Sequence, residues 1–228
     1  MTASVGAVRI GKAHALDLHA MEQICIDTAD QGHDPTPERH LPALLPAIWL
    51  TPYMAPDADT VCLVARRDAP SHVAGADPVG RSDILGYCIA SRDARAFAER
   101  LARDWFPRVR ADLEGYTADL TPADRALWDM VRHPVVPDEP WLHDHPGEVH
   151  VDLLPQARGL GLGRRLLDAM GEHLRADGVR GFFLGVDPLN EGAQGFYEHL
   201  GMRTLRPRGG RGPVYGVSLV GPEDPAPA

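Results

Sequence analysis

The 228-residue chain is 44% hydrophobic and 24% charged, enough apolar content to pack a core. Its apolar runs are short and interrupted, far below the ~20 residues that span a bilayer, and its first residues carry no apolar signal segment. A net charge of −9 argues against a broad nucleic-acid surface and suits a small-molecule enzyme, including one with a cationic substrate.

Along the chain, residues 8–10 read as a short strand. A helical pattern follows with Met21, Ile24, Cys25 and Thr28 about one turn apart, stopping before Gly32. Residues 33–56 are rich in proline and carry Trp49, Tyr53 and Met54, which predicts a loop with short helical turns. The β-branched run 60–65 and the run 84–91 predict two strands joined by a long turn-rich connection. Residues 92–132 read as helical, with Phe97, Leu101, Val109 and Leu113 on one stripe and Pro107 kinking or ending the first helix. Thr121-Pro122-Ala123-Asp124 has the composition of a helix start. A Pro- and His-rich loop then leads to an alternating strand at 148–154.

Helix 161–176 follows, with Leu162, Leu166, Met170 and Leu174 on one face, then a buried strand at 182–186 and a helix at 190–200. A final strand is expected at 215–220, and residues 221–228 are expected to be disordered. Strand and helix alternate from 148 to 200, and parallel strands need such crossover helices. The fold class is therefore α/β: a mixed central sheet flanked by helices. It forms one domain over residues 1–220, with 92–147 as a helical insertion before the fourth strand. The three cysteines, Cys25, Cys62 and Cys88, are far apart in apolar stretches and read as buried reduced thiols in a cytoplasmic protein.

The stretch that carries chemistry is Pro155-Gln156-Ala157-Arg158-Gly159-Leu160-Gly161-Leu162-Gly163-Arg164-Arg165, between a strand and an amphipathic helix. Glycines let backbone approach a ligand, and a helix N-terminus adds unpaired amides and a positive dipole end, so this junction suits a diphosphate. Arg158, Arg164 and Arg165 add charge there. A dinucleotide fingerprint does not fit: the spacing is Gly-x-Gly-x-Gly, the motif comes late, and no suitable acid ends the next strand. A P-loop lacks its Gly-Lys-Ser/Thr. What remain are a Gly-rich turn for tight strand–helix packing and an acetyl-CoA loop.

Here the sequence resembles the GNAT acetyltransferases, whose signature Gln/Arg-x-x-Gly-x-Gly/Ala follows the fourth strand. Arg158-x-x-Gly161-x-Gly163 matches it, and Gln156-x-x-Gly159-x-Gly161 fits in a second register. Asn190, Ala193, Phe196-Tyr197 and Gly201 resemble the family's second signature after the fifth strand. Residues 24–34, 49–53, 86–90, Trp105-Phe106-Pro107 and 150–153 further resemble the acetyltransferase-like C-terminal domain of O-GlcNAcases and its stand-alone bacterial relatives. In the human O-GlcNAcase that loop is degraded and the domain is regarded as a pseudo-acetyltransferase. This chain departs from it by keeping Arg158-Gly159-x-Gly161-x-Gly163.

The resemblance implies a GNAT fold and direct acetyl transfer from acetyl-CoA to an amine acceptor, a protein lysine or a small molecule, in a ternary complex. The chain would act as a monomer or homodimer. The implied coenzyme contacts are Leu153 and Leu154 on the fourth strand, Arg158, Gly159, Leu160, Gly161, Leu162, Gly163 and Arg164 in the loop, and Asn190 and Tyr197 near the last helix. Tyr197 would protonate the departing thiolate, against the alternative of a packed Tyr; Asn190 could cap its helix as well. Alternation places Glu148, His150 and Asp152 on one strand face, where a base for the amine is needed; Asp152 and Glu148 rank ahead of His150. His143, His145 and His150 do not follow a strong zinc spacing, and no metal is expected. Trp49, Tyr53, Trp105 and Trp141 would line an acceptor pocket if they gather over the sheet, and otherwise pack in the core. Residues 33–56 and 92–147 are expected to fold together on that side. The rival reading is a silent pseudo-acetyltransferase that binds a peptide or glycan.

Overall fold

The computed structural model describes residues 7–30, 32–35, 38–68, 83–208 and 212–220. A seven-stranded sheet runs through it: β1 (Val8–Lys12), β2 (Thr60–Arg67), β3 (Ile84–Ser91), β4 (Gly147–Leu153), β5 (Gly181–Gly185), β6 (Arg203–Arg206) and β7 (Val214–Ser218). Their order is β1-β2-β3-β4-β5-β7-β6. Only β4 and β5 pair in parallel; every other neighbouring pair is antiparallel. The mixed sheet flanked by helices is the α/β arrangement expected. β6 was not anticipated, because Arg-Thr-Leu-Arg offers a single apolar side chain and takes its strand form from pairing with β7. The expected tail, 221–228, lies outside the described residues, as does most of the β2–β3 connection.

Helices α1 (Leu18–Thr28), α2 (Leu44–Trp49), α3 (Ala94–Arg100), α4 (Phe106–Leu113) and α5 (Pro122–Arg132) lie before β4. α1, α2, α4 and α5 pack with Tyr87 and Ile89 on one sheet face. Helices α6 (Leu162–Ala176) and α7 (Glu191–His199) pack on the other, against Cys88, Ala90 and Val149. The α6 stripe Leu162, Leu166, Met170 and Leu174 is at most 2% exposed, which clamps the start of this helix against the sheet.

Pro107 falls where the first helix gives way: α3 ends at Arg100, and α4 starts at Phe106 with the proline in its first turn. The turn before it, Leu101–Trp105, widens to π form, and the Phe106 amide reaches the Leu101 carbonyl five residues back. A wider turn absorbs the missing proline N–H and the bulk of its ring. Thr121 caps α5, its hydroxyl accepting from the Asp124 amide at 3.1 Å.

The segment before β2 and the helices before β4 are tied by one buried carboxylate. Asp124 accepts from the amides of His40 (2.8 Å) and Leu41 (3.2 Å) and from the Arg39 guanidinium (3.3 Å). Burial works to raise its pKa, but these donors and the Thr121 hydroxyl outweigh it and hold the carboxyl below its ordinary value. The Trp105 indole N–H adds a bond to the Ala47 carbonyl at 2.8 Å. Among the described residues, no helix is long and apolar enough to cross a membrane.

Candidate active site

β4 pairs with β5 only at Gly147↔Phe182 and Glu148↔Phe183, then leaves it and follows β3 as far as Gly86↔Leu153. The two parallel strands therefore splay. A cleft of about 1090 Å³ opens at the divergence. That is at the upper end of the roughly 300–1,000 Å³ of ordinary small-ligand sites.

One wall is the glycine loop. Gly159 and Gly161 both have φ of +72° and nothing within 4 Å of a Cβ position, so the left-handed backbone, rather than crowding, demands glycine there. Gly161 is the N-cap of α6 and offers no side-chain cap. The amides of residues 159–164 make no hydrogen bond among the described residues. Six bare donors at a positive helix end form an anion cradle. Gly163 is glycine for another reason: a Cβ would sit 2.9 Å from the Phe196 ring, so α6 and α7 touch there.

The floor and far wall come from β4, the β5–α7 connection and α7. Val149, Val151 and Leu153 line the floor. Asn190 caps α7, its side chain accepting from the Ala193 amide at 2.9 Å, and it also lines the cleft. The Gln194 side chain, 1% exposed, holds the preceding loop through the Asp187 and Pro188 carbonyls. Tyr197 stacks between Phe196 and Tyr215 and is 7% exposed. Its hydroxyl has no hydrogen-bond partner among the described residues. Burial, then the charge of Asp152 and Cys88, pushes the phenol well above its ordinary pKa, so its proton is present throughout the neutral range.

Beyond the splay, α1 and α2 cover the face of β4 that carries His150 and Asp152. Asp152 accepts from the Tyr87 hydroxyl at 2.5 Å. Burial raises its carboxyl above the ordinary range, against the pull of Tyr87 and of the charge on His150. His150 bonds the Tyr53 hydroxyl at 3.1 Å and lies against the Trp49 ring, centroids 5.7 Å apart. Cys25, Thr28, Gly32, His33 and Trp49 complete this half.

Several expected residues lie elsewhere. Glu148 sits where β4 and β5 still pair and Leu154 packs into the α1/α2 core, so neither lines the cleft; Leu160 joins the glycine loop through its amide while its side chain is 45% exposed. Of the four loop aromatics, Trp49 reaches the cleft, Tyr53 and Trp105 stand behind it, and Trp141 packs on Phe183 under Arg206. The insertion lines none of the cleft and instead buttresses α2. The three histidines part as well: His143 is exposed, His145 buried against Gly181 and Gly216, and His150 in the cleft.

A cysteine does line the cleft, though none is near the glycine loop in sequence. Cys25 on α1 is brought there by packing, and burial followed by the Asp152 charge pushes its thiol up to about 12. It is no thiolate near neutral pH. Thr28, Gly32 and His33 carried no chemical signature in the sequence; only the return of α1 over β4 places them here.

Residues 131–202, spanning β4 to α7, match the acetyltransferase (GNAT) family profile. Across 94% of the chain and all of the compared protein, the crystal structure of SsHAT superposes with a TM-score of 0.76 at 25% identity. The segment from β4 to α7 thus carries the likeness to the GNAT family. The chain is also 37% identical over 106 residues to a mycothiol acetyltransferase of Paenarthrobacter aurescens; the match is 45% of this chain and 30% of that relative, so the chain spans under a third of its length. A phosphinothricin acetyltransferase from Sinorhizobium meliloti, solved in complex with AcCoA, shares the fold at 15% identity and a TM-score of 0.50, over 96% of this chain and 89% of that one.

Proposed function

We propose that the chain is an acetyl-CoA-dependent acetyltransferase acting on an amine in a ternary complex. The observation that carries this reading is the splayed cleft, with six unpaired amides at its mouth and the free Tyr197 hydroxyl inside it.

Amides 159–164 take the diphosphate, aided by the helix dipole and Arg164. The pantetheine arm lies along β4 toward Leu153, on the edge that β5 vacates, and hydrogen-bonds its free backbone groups. Asn190 and Phe196 border the arm. The acceptor enters from the α1/α2 side. Asp152, with its raised carboxyl, removes the amine proton directly or through water; a base is most effective when its pKa nears the working pH. Glu148, outside the cleft, is set aside as base. The amine nitrogen attacks the thioester carbonyl, the C–S bond breaks, and the sulfur leaves with its electron pair. Tyr197, still protonated, donates to that sulfur. Cys25, held as a thiol, carries no acyl intermediate.

The test has two stages. Calorimetry with acetyl-CoA should give saturable one-site binding. Thiol release with spermidine, glucosamine, Nα-acetyllysine amide and lysine-bearing peptides should then expose an acceptor. Absence of acetyl-CoA binding refutes the reading. Binding without thiol release on any amine returns the chain to the pseudo-acetyltransferase class.

A further inference from the structure

Arg158, the first residue of the glycine-loop signature, does not point at the cradle of bare amides. Its Nη2 donates to the Gly32 carbonyl at 2.5 Å, across the mouth of the cleft and 126 residues away in sequence. Gly32 is shaped for this contact. Its φ is +88°, and a Cβ there would lie 2.1 Å from Arg158 Nη2 and 2.9 Å from Cζ, so only bare backbone lets the guanidinium dock. The turn that presents Gly32 is itself tight: its amide bonds the Thr28 carbonyl at 2.8 Å, and Asp30 and His33 exchange backbone bonds of 3.0 and 2.7 Å. Thr28, Gly32 and His33 form the acceptor-side lip. Arg164, by contrast, lines the same cleft with no hydrogen bond or ion pair among the described residues. The two arginines thus divide the work: Arg164 is free to meet a phosphate, and Arg158 is already engaged.

We infer that Arg158 is a positioning residue for the acceptor: it buckles the 28–33 turn to the glycine loop, and through that turn sets the half of the cleft that takes the amine. A planar guanidinium with several fixed donors suits a carbonyl in a tight turn better than a point charge does. The inference rests on the proposed function only in calling that half of the cleft the acceptor side; the contact itself does not depend on it.

Three measurements on Arg158→Ala test this in the full chain. Without ligand, the Gly32 and His33 amides should exchange with solvent about five- to tenfold faster than in the wild type, the lower range for a charge-assisted bond at an exposed position. Acetyl-CoA affinity should change by less than about twofold, and the KM for Nα-acetyllysine amide, the probe amine, should rise by a similar five- to tenfold with kcat little altered. Arg158→Lys should recover part of both effects. Gly32→Ala, with Arg158 intact, should reproduce them, the strain of φ +88° adding to the lost contact. Unchanged exchange at Gly32 and His33 overturns the inference. So does a loss of acetyl-CoA affinity of tenfold or more, which would make Arg158 a phosphate ligand. If the wild type acetylates no amine, the exchange and affinity measurements still decide the buckle, and only the proposed function falls.

Discussion

Tyr197→Phe separates chemistry from packing, because the two depend on different atoms of one side chain. The ring stacks on Phe196 and Tyr215 and is 7% exposed, whereas the hydroxyl has no partner among the described residues. Removing the oxygen therefore breaks no internal hydrogen bond and opens no sizeable cavity. Stability should stay within about 0.5 kcal/mol of wild type. In turnover, the lost group is a donor to a sulfur that gains charge as the C–S bond breaks. A hydrogen bond to a charged group contributes about 1.5–3 kcal/mol net, and each 1.36 kcal/mol is tenfold in rate, so kcat should fall about 10- to 150-fold. The low end of general-acid effects is expected, since a thiol with a pKa near ~8.5 leaves tolerably well unaided. The pKa of Tyr197 lies well above its ordinary value, so the ratio of wild-type to variant rates should be flat with pH across the neutral range. The assay is thiol release under saturating acetyl-CoA, beside calorimetric affinity and a urea midpoint. Full activity in Tyr197→Phe refutes the acid role. A merely structural Tyr predicts the other pattern: a silent Phe variant, with Tyr197→Ala losing about 3–5 kcal/mol of stability.

Gly161→Asp should keep the fold and abolish acetyl-CoA binding by calorimetry, since φ +72° costs a side-chain residue about 1–2 kcal/mol and the new carboxylate faces the diphosphate cradle; unchanged affinity in a folded variant removes the loop from the site. Asp152→Asn should lower kcat/KM about 10²–10⁴-fold and erase the acidic limb of its pH profile, along which activity rises as Asp152 loses its proton above the ordinary carboxylate range; a limb that persists in Asn assigns the base elsewhere. The folded state holds that proton more tightly than the unfolded one, so ionisation costs stability above the ordinary value, and Asp152→Asn should be neutral or stabilising at pH 7 by urea denaturation. Asp124→Ala should cost about 3–5 kcal/mol by strand- and loop-independent unfolding probes, because the Arg39 charge and two amides lose their buried partner, while acetyl-CoA affinity holds; a cost under ~1 kcal/mol refutes its role as the tie between the two segments. Asp124 has a lowered pKa, so its contribution is present at neutral pH and fades only as pH falls through that lowered value.

The glycine-loop half of the cleft, proposed to take the coenzyme, is local in sequence, and for that reason its backbone was legible. A strand, a glycine turn and an amphipathic helix are consecutive, and the requirements they impose, left-handed φ at Gly159 and Gly161 and an apolar face on α6, are written into adjacent residues. The Asn190 cap and the stretch 193–197 follow the same logic one strand later. The acceptor half is non-local. Cys25 and Thr28 lie at the end of α1, with Gly32 and His33 just after it, about 120 residues before Asp152, and Trp49 comes from a six-residue helix whose Leu44, Leu45 and Ile48 are buried with α1 and α5. Arg158 shows the difference within a single motif. Its place in the loop is set by neighbours two or three residues away, but its guanidinium goes to a carbonyl 126 residues distant, because that turn presents bare glycine backbone at the right spot. Periodicity and turn chemistry act over a few residues, so they determine elements and the backbone of the glycine loop. Which side chains meet across the sheet is decided by how those elements pack: Glu148, expected beside Asp152 from strand alternation, stays at the β4–β5 pairing, and Trp141 packs on Phe183, both outside the cleft.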